Sequence, residues 1–389
     1  MVLSLTVYTG TAIIMALLGW HVYHREERLI ANGGKELPFY AWEILAAILI
    51  YVAISAVRWL TSWDYNMYYN YYVTMQSMGE TSRENFEPGF MLATRVMARS
   101  GLHFAFYFAF WALLQISLLY YALRHRKVLL PWIALCIFTG PYYVQWMSTL
   151  RQGVVECLFV LMVELIVRRK FWLYLLLCLL AMTLHKMSIV LIPLYFVPLI
   201  PFRNVKRWVP FTLLVLCVLI GSFPQWIQWT FDRLGQFADL LGYGHYYRLF
   251  STNSNYAFRS VMGPTRLCPL LSCFILIWYY PSIRRMFPTD RVMPAMYCFT
   301  LLHLGYLNIM ANTTQYLSRP GDLMRCCFLI MVCYTMQYLW RERKWLLFVV
   351  MALCNFHYIY YEIAKAVIKT GSMYEPELYH TFLYGFELL

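Results

Sequence analysis

Apolar residues form long runs along the chain, and short polar or basic segments separate them. A helix rises about 1.5 Å per residue, so about 20 apolar residues cross the hydrocarbon core of a membrane. The pattern predicts an all-α, polytopic integral membrane protein with about twelve transmembrane helices in one domain, residues 1–389. The runs lie at about 4–22, 39–60, 103–123, 128–147, 153–167, 171–185, 187–202, 208–229, 264–283, 292–311, 323–340 and 345–364.

Composition supports this assignment. Of the 389 residues, 61% are hydrophobic and 13% are charged, whereas an ordinary soluble domain is about a quarter charged. A soluble protein is therefore excluded. The first apolar run lacks a basic segment before it, so we expect a retained span rather than a cleaved signal peptide.

The basic residues are distributed unevenly between alternate loops. Each of the six loops after an odd-numbered run carries three Lys or Arg residues, whereas the others are scattered. Cytoplasmic loops are enriched in Lys and Arg, so we expect the odd loops in the cytoplasm and both termini outside. This distribution also accounts for much of the net charge of +13 without nucleic acid as a partner. The triplets are Arg25, Arg28, Lys35; Arg124, Arg126, Lys127; Arg168, Arg169, Lys170; Arg203, Lys206, Arg207; Arg284, Arg285, Arg291; and Arg341, Arg343, Lys344.

Two even-side loops are long, at about 61–102 and 230–263, and both are rich in aromatic residues. Loops of this length are uncommon unless they carry function. We therefore predict two extracytoplasmic loops and expect the functional residues on that side. The chain has no P-loop, no dinucleotide-binding glycine pattern and no metal-ligand motif, so we expect no cofactor and no metal.

The first candidate stretch begins at Arg58, which ends an apolar run. Its tyrosines recur at helical spacing, so they form one face if the segment is helical. An interfacial amphipathic helix explains this face, and a sugar-stacking platform beside a carboxylate is the functional alternative. The stacking candidates are Trp63, Tyr65, Tyr68, Tyr69 and Tyr72, and the carboxylates are Asp64 and Glu87.

Two further stretches place cations at the ends of spans. Arg151 starts a span that carries Glu156. It could pair with Glu156, reach the lipid headgroups, or hold an anion at the helix start. His185 and Lys186 interrupt a long apolar run, either as a short outer turn or as a source of charge for a phosphate group.

The fourth stretch contains two arginines, Arg319 and Arg325, on either side of Pro320-Gly321. The Pro-Gly pair predicts a turn. Asp322 can fully neutralise only one of the two arginines. The remaining charge requires either headgroups or an anionic ligand, and a pair of guanidinium groups favours the ligand.

Taken in order, these stretches resemble the EpsG-like group of the Wzy-type bacterial polysaccharide polymerases. The resemblance covers most of the chain, although each motif is short. Two positions depart from the usual pattern, because Ser62-Trp63 replaces a glycine before the Asp-Tyr pair and Leu184 replaces an aromatic residue before the histidine. The motifs are Arg58…Asp64-Tyr65, Glu87-Pro88-Gly89-Phe90, Leu150-Arg151-Gln152, Leu184-His185-Lys186-Met187-Ser188 and Arg319…Arg325.

The resemblance implies a membrane glycosyltransferase that joins oligosaccharide repeat units carried on undecaprenyl diphosphate. The active site would face outside the bacterial cytoplasmic membrane, and the expected partners are the lipid-linked oligosaccharide, the bilayer, a chain-length regulator and a flippase. A diphosphate leaving group requires cations, and attack by a sugar hydroxyl requires a base. The candidate bases are Asp64, Glu87 and His185, and the candidate diphosphate ligands are Arg58, Arg151, Lys186, Arg259, Arg319 and Arg325.

Two other functions fit the same residues less well. A flippase or transporter of the lipid-linked units agrees with the span count, but the chain shows no repetition between its halves. An O-antigen ligase or a membrane O-acyltransferase would share a basic cavity that faces the lipid.

Overall fold

The structure is a computed structural model that describes residues 2–79, 86–199, 206–223, 229, 233, 263–312, 315–370 and 378–383. Within these residues the regular structure is helical, which confirms the all-α class. The α-helices are α1 (Val2–Ala31), α2 (Trp42–Val57), α3 (Tyr65–Met78), α4 (Pro88–Arg99), α5 (Phe104–Ala122), α6 (Leu130–Thr139), α7 (Tyr142–Ser148), α8 (Leu150–Val167), α9 (Phe171–Leu184), α10 (Leu191–Leu194), α11 (Trp208–Gly221), α12 (Pro264–Met286), α13 (Met293–Ile309), α14 (Gln315–Asp322), α15 (Arg325–Arg341), α16 (Trp345–Phe356) and α17 (Tyr358–Thr370).

The lengths and the apolar composition of several helices are those of a membrane protein. Among the described residues, α1, α5 and most of α12 are long and apolar enough to cross a membrane. Two bent pairs, α6 with α7 and α16 with α17, raise this number to 5 if each pair is one span. Helices α2, α9 and α11 are apolar but shorter. The twelve spans are therefore not confirmed, because several apolar runs form short or bent helices.

The chain divides into two compact units. Unit 1 comprises Met1–Ile189 and Met336–Leu389, and unit 2 comprises Val190–Thr335. In unit 1, α1 packs on α2 and α6, α5 lies between α2 and α8, and α4 contacts α3 and α9. In unit 2, α13 packs against α11, α12 and α14.

Ion pairs join the basic loops of unit 1 at one end of its helices. Glu43 lies in the first turn of α2 and Arg58 follows its last residue. Because α2 has 16 residues, these ends lie about 24 Å apart. The basic loops and the Arg58 segment thus occupy opposite ends, and which end faces outside stays a prediction. The pairs are Arg25–Glu43 at 2.7 Å, Lys127–Glu26 at 2.6 Å, His125–Glu36 at 2.7 Å and Arg124–Glu164 at 2.9 Å.

The first long loop is itself largely helical. It contains α3, which ends at Gly79 with a positive φ of 72°, and α4, which has Pro88 in its first turn. Both residues are typical of these helix ends, since glycine tolerates positive φ and proline lacks the N–H that a first turn leaves unpaired. The second long loop, 230–263, lies outside the described residues apart from Arg233 and Gly263.

Candidate functional site

The segment after α2 is fixed to the end of α7 by a buried arginine. Arg58 is fully buried, and its Nη1 donates hydrogen bonds of 3.2 Å to the carbonyl oxygens of Thr61 and Met147 and to Ser62 Oγ. The Trp63 N–H donates to Ser148 Oγ at 2.8 Å. These contacts hold Trp63 and the following Asp64 beside the start of α8, where Arg151 lies.

The C-terminal segment 378–383 also contacts this region. The Trp59 N–H donates to the His380 carbonyl at 2.8 Å, and the His380 N–H donates to Thr61 Oγ1 at 3.1 Å. Tyr379 Oη donates to the Ile54 carbonyl at 2.7 Å. Sequence reasoning missed this segment, because a short polar stretch after the last apolar run carries no periodic signal.

Glu87 lies at the start of α4, where the helix approaches the end of α9. Glu87 precedes the helix in extended conformation, and Pro88 follows it. At Gly89, a Cβ atom would lie 2.3 Å from Thr183 Oγ1. Only glycine allows this close approach, which brings Glu87 to the residues that follow α9.

Three of the four motifs meet at the Glu87 carboxylate. Arg151 Nη1 forms an ion pair with Glu87 Oε2. The Lys186 N–H donates to Glu87 Oε1 at 3.0 Å, and His185 Nδ1 lies 3.8 Å from the same oxygen. Glu87 and His185 are buried, whereas the Lys186 side chain is exposed. The structure therefore brings together four predicted site residues from distant parts of the sequence.

Aromatic rings enclose the Arg151 guanidinium. Its Cζ lies 4.7 Å from the centroid of Phe86 and 5.1 Å from that of Phe90, and Tyr68 contributes a side-chain hydrogen bond. A guanidinium over ring faces gains cation–π stabilisation that does not depend on its carboxylate partner. Phe86 and Phe90 flank Glu87 in sequence, so one short segment provides both the counter-ion and the rings.

Of the three alternatives for Arg151, the structure does not show the pairing with Glu156. Glu156 is fully buried and accepts hydrogen bonds of 3.0 Å from Trp146 Nε1 and from Gln152 Nε2. Residues five apart lie about 140° apart around a helix, so Arg151 and Glu156 point in different directions. The carboxylate paired with Arg151 comes instead from Glu87, which lies on another element.

The tyrosine face of α3 points mainly into unit 1. Tyr65, Tyr68 and Tyr72 are buried. Their ring centroids lie 4.8 Å from Phe108, 5.8 Å from Phe90 and 4.7 Å from Tyr107, in that order. Burial raises the pKa of the Tyr65 and Tyr72 hydroxyls, so both stay neutral.

The remaining stacking candidates are more accessible. Tyr69 is partly exposed and packs on Trp59 with a centroid distance of 5.2 Å. Trp63 is 68% exposed, and Asp64 beside it is partly exposed. Contact of any of these residues with a sugar stays a prediction.

Unit 2 contains the fourth motif. Asp322 Oδ1 pairs with Arg325 Nη2 at 2.5 Å, and both residues are buried. Arg319 lies in α14 and is partly exposed.

One expectation about unit 2 is overturned, and another falls outside the described residues. The turn expected at Pro320-Gly321 is wrong, because both residues lie within α14 and the chain turns at Leu323–Met324 instead. Arg259 lies outside the described residues.

The cluster at Glu87 combines positive charge with groups that can accept a proton. Arg151 and the exposed Lys186 provide positive charge, and Glu87 and His185 provide proton acceptors. A mostly buried site strengthens electrostatic interactions with charge that develops in a transition state. In unit 1 the geometry is therefore suited to an anionic ligand that reacts with a hydroxyl nucleophile.

Comparison with known proteins identifies the family. The family model described as the EpsG family matches residues 42–374, which includes all four motifs, and the chain belongs to this family. Membership places the protein among polysaccharide polymerase-like membrane proteins of glycosyltransferase type. No curated protein and no solved structure matches the chain significantly.

Proposed function

Starting from membership of the EpsG family, we propose that the protein is a polymerase that joins undecaprenyl-diphosphate-linked oligosaccharide repeat units. The reaction takes place at the outer face of the bacterial cytoplasmic membrane. The observation that carries this proposal is the convergence of Glu87, Arg151, His185 and Lys186 at one point of unit 1. The side chains that meet there are one cation, Arg151, and two proton acceptors, Glu87 and His185. Lys186 donates its backbone N–H to Glu87 and carries an exposed side chain. Cations and proton acceptors are the groups that this reaction uses.

In the proposed reaction, a hydroxyl of the acceptor sugar attacks the anomeric carbon of the donor sugar. The new glycosidic C–O bond forms as the bond between that carbon and the diphosphate oxygen breaks. Arg151 and Lys186 balance the negative charge that develops on the departing undecaprenyl diphosphate. Glu87 takes the proton from the hydroxyl, with His185 or Asp64 as the alternative base.

The other predicted cations have different roles in relation to the proposed reaction. Arg319 and Arg325 belong to unit 2, and their role as diphosphate ligands stays a prediction from the sequence, since arginine can bind phosphate oxygens through two parallel hydrogen bonds. Arg259 is proposed for the same role on sequence grounds alone. Arg58 is fully buried, so we propose that it supports the site through the Trp63 segment.

Deletion of the gene followed by gel analysis of the glycans tests the function. A polymerase predicts that the long-chain ladder disappears while one repeat unit remains. Loss of all outer-face glycan would point to a flippase, and polymer that accumulates on its lipid carrier would point to a ligase. Complementation with Arg151→Met and with Glu164→Gln, a charge change at the other end of α8, separates loss of the site from a general effect on the protein.

Cysteine labelling tests the orientation. Trp63 and His125 lie in the two opposite end regions of unit 1, and both are exposed. In a background without reactive native cysteines, we expect Trp63→Cys to react with an impermeant maleimide in intact spheroplasts. His125→Cys should react only after permeabilisation. The reverse result would place the Glu87 cluster at the cytoplasmic end and contradict the proposed outer-face reaction.

A further inference from the structure

Arg151 is the main cation of the candidate site, yet in the structure its charge is already balanced by Glu87. The two side chains are largely buried, with 17% of Arg151 and 7% of Glu87 exposed. A second anion at Arg151 would lie close to the Glu87 carboxylate, and like charges in such a place repel each other strongly. A diphosphate and Glu87 therefore cannot both bind Arg151 at full strength.

We propose that Glu87 competes with the donor diphosphate for Arg151, so that binding of the donor releases the carboxylate which then acts as the base. This inference rests on the proposed function and deepens it. Without donor, the Glu87–Arg151 pair keeps the base occupied. With donor, Arg151 is transferred to the diphosphate and Glu87 becomes free to accept a proton.

The surroundings of Glu87 allow this exchange without loss of its position. The Lys186 N–H donates to Oε1, whereas Arg151 contacts Oε2. When Arg151 moves to another partner, the Lys186 N–H still holds Oε1 of Glu87 and Oε2 becomes available. His185 Nδ1, at 3.8 Å from Oε1, adds a second polar neighbour on the side that stays in place.

Arg151 also has the means to accept a new partner. Its Nε–H is buried and donates no hydrogen bond to any residue that the structure describes. The rings of Phe86 and Phe90 hold the guanidinium with or without Glu87. A diphosphate oxygen can therefore gain a donor that Glu87 does not use, and this gain favours the exchange.

The exchange links donor binding to the chemical step. Once Arg151 binds the diphosphate, Glu87 Oε2 takes the proton from the hydroxyl of the acceptor sugar. The oxygen of that hydroxyl bonds to the anomeric carbon of the donor sugar in the same step. The electron pair of the broken bond leaves with the diphosphate, and the proton on Glu87 passes to solvent after the product departs. Before the donor binds, Arg151 occupies Glu87 Oε2, so this oxygen is not available to the hydroxyl.

Binding of inorganic diphosphate to the full-length protein in lipid nanodiscs tests the competition without any sugar chemistry. We expect Glu87→Gln to bind diphosphate about tenfold more tightly than the wild type, because the internal competitor is gone. Arg151→Met should bind more weakly. In the Arg151→Met background, Glu87→Gln should bring no tightening, since no competition remains. Glu164→Gln removes the same charge about 20 Å along α8 and should leave binding unchanged.

The outcome that overturns the inference is equal or weaker diphosphate binding by folded Glu87→Gln. A misfolded variant cannot imitate a gain in affinity, and thermal melting of each variant verifies folding. If Glu87→Gln does not fold, Glu87→Asp tests the proposal instead. Its shorter carboxylate should tighten diphosphate binding by a smaller factor. An unchanged affinity of this variant would contradict the proposal. If Glu87→Gln binds diphosphate more tightly but deletion of the gene leaves the glycan ladder intact, the polymerase function is refuted and the competition at Arg151 is not.

Discussion

Two arginines at helix ends of unit 1, Arg58 and Arg151, carry the same charge in different surroundings. Arg58 is fully buried, and its Nη1 donates hydrogen bonds to carbonyl and hydroxyl oxygens of the protein. Arg151 is partly exposed and faces the carboxylate of Glu87. Both lie near aromatic rings, with Arg58 at 4.5 Å from the Phe108 centroid and Arg151 at 4.7 Å from that of Phe86.

In the proposed reaction, this difference separates a cation that supports the site from one that binds the diphosphate. Carbonyl oxygens of neighbouring turns are fixed, so Arg58 cannot leave them without moving the backbone segments that it joins. A carboxylate can be replaced by another anion, so Arg151 can exchange its partner. The position of the charge in the sequence does not reveal this distinction, whereas burial and partner type do.

The largest effect is expected when Arg151 loses its carboxylate partner. Glu87→Gln leaves the guanidinium without a counter-ion and removes the proposed base, so turnover should fall by about 10²–10⁴. The measurement is polymerisation of purified lipid-linked repeat units in vitro, with Glu164→Gln as the matched control. Turnover at the wild-type rate would transfer the role of base to His185 or Asp64.

The next effect is the loss of Arg151 itself. Arg151→Met should reduce turnover about tenfold to hundredfold, because a charge-assisted contact contributes about 1.5–3 kcal/mol. Arg151→Lys should lie between this variant and the wild type, since it retains charge without the planar group. The double variant with Glu87→Gln restores the local charge balance. Recovery of activity in that double variant would make the pair a structural salt bridge only.

A smaller effect on turnover, with a clear effect on stability, is expected at Arg58. Arg58→Met removes two hydrogen bonds within the segment after α2 and one to Met147 of α7, and we expect a loss of about 1–3 kcal/mol in the free energy of unfolding. Turnover per folded molecule should change by less than about threefold. Thermal melting and activity of the same samples separate these quantities. Normal melting with strongly reduced turnover would show that Arg58 binds the donor directly.

The smallest effect is expected at Trp63, which the Arg58 contacts hold in place. Trp63→Ala should raise KM for the repeat unit about twofold to tenfold while kcat stays nearly constant, since aromatic contacts contribute about 0.5–1.5 kcal/mol. Trp63→Phe should retain much of the effect of the indole ring. An unchanged KM in both variants would remove Trp63 from the sugar-binding surface.

Much of the candidate site follows from sequence reasoning, but its arrangement does not. The motifs around Glu87, Arg151 and His185 single out the residues that meet in unit 1. Their contact depends on Gly89, because only this residue lets α4 approach Thr183. No local pattern indicates which helix α4 approaches.

The tyrosines of α3 illustrate the limit of periodicity. Their spacing correctly places them on one face of a helix, yet spacing alone does not reveal what that face contacts. Tertiary packing buries Tyr65, Tyr68 and Tyr72 among other aromatic rings and leaves Trp63 exposed. The same pattern fits a buried face and an open platform, since aromatic side chains favour both.

The amino-acid sequence by itself determined the helical class, the membrane environment, the basic loops and the charged motifs, because apolar runs and charge spacing are local properties. Only the tertiary structure decided the partners of those charges. Arg151 pairs with Glu87, 64 positions away, rather than with Glu156 on its own helix, and Arg58 binds carbonyl groups that no motif predicts. The physical reason is that a buried charge takes whichever opposite or polar group the packing of separate elements brings within reach.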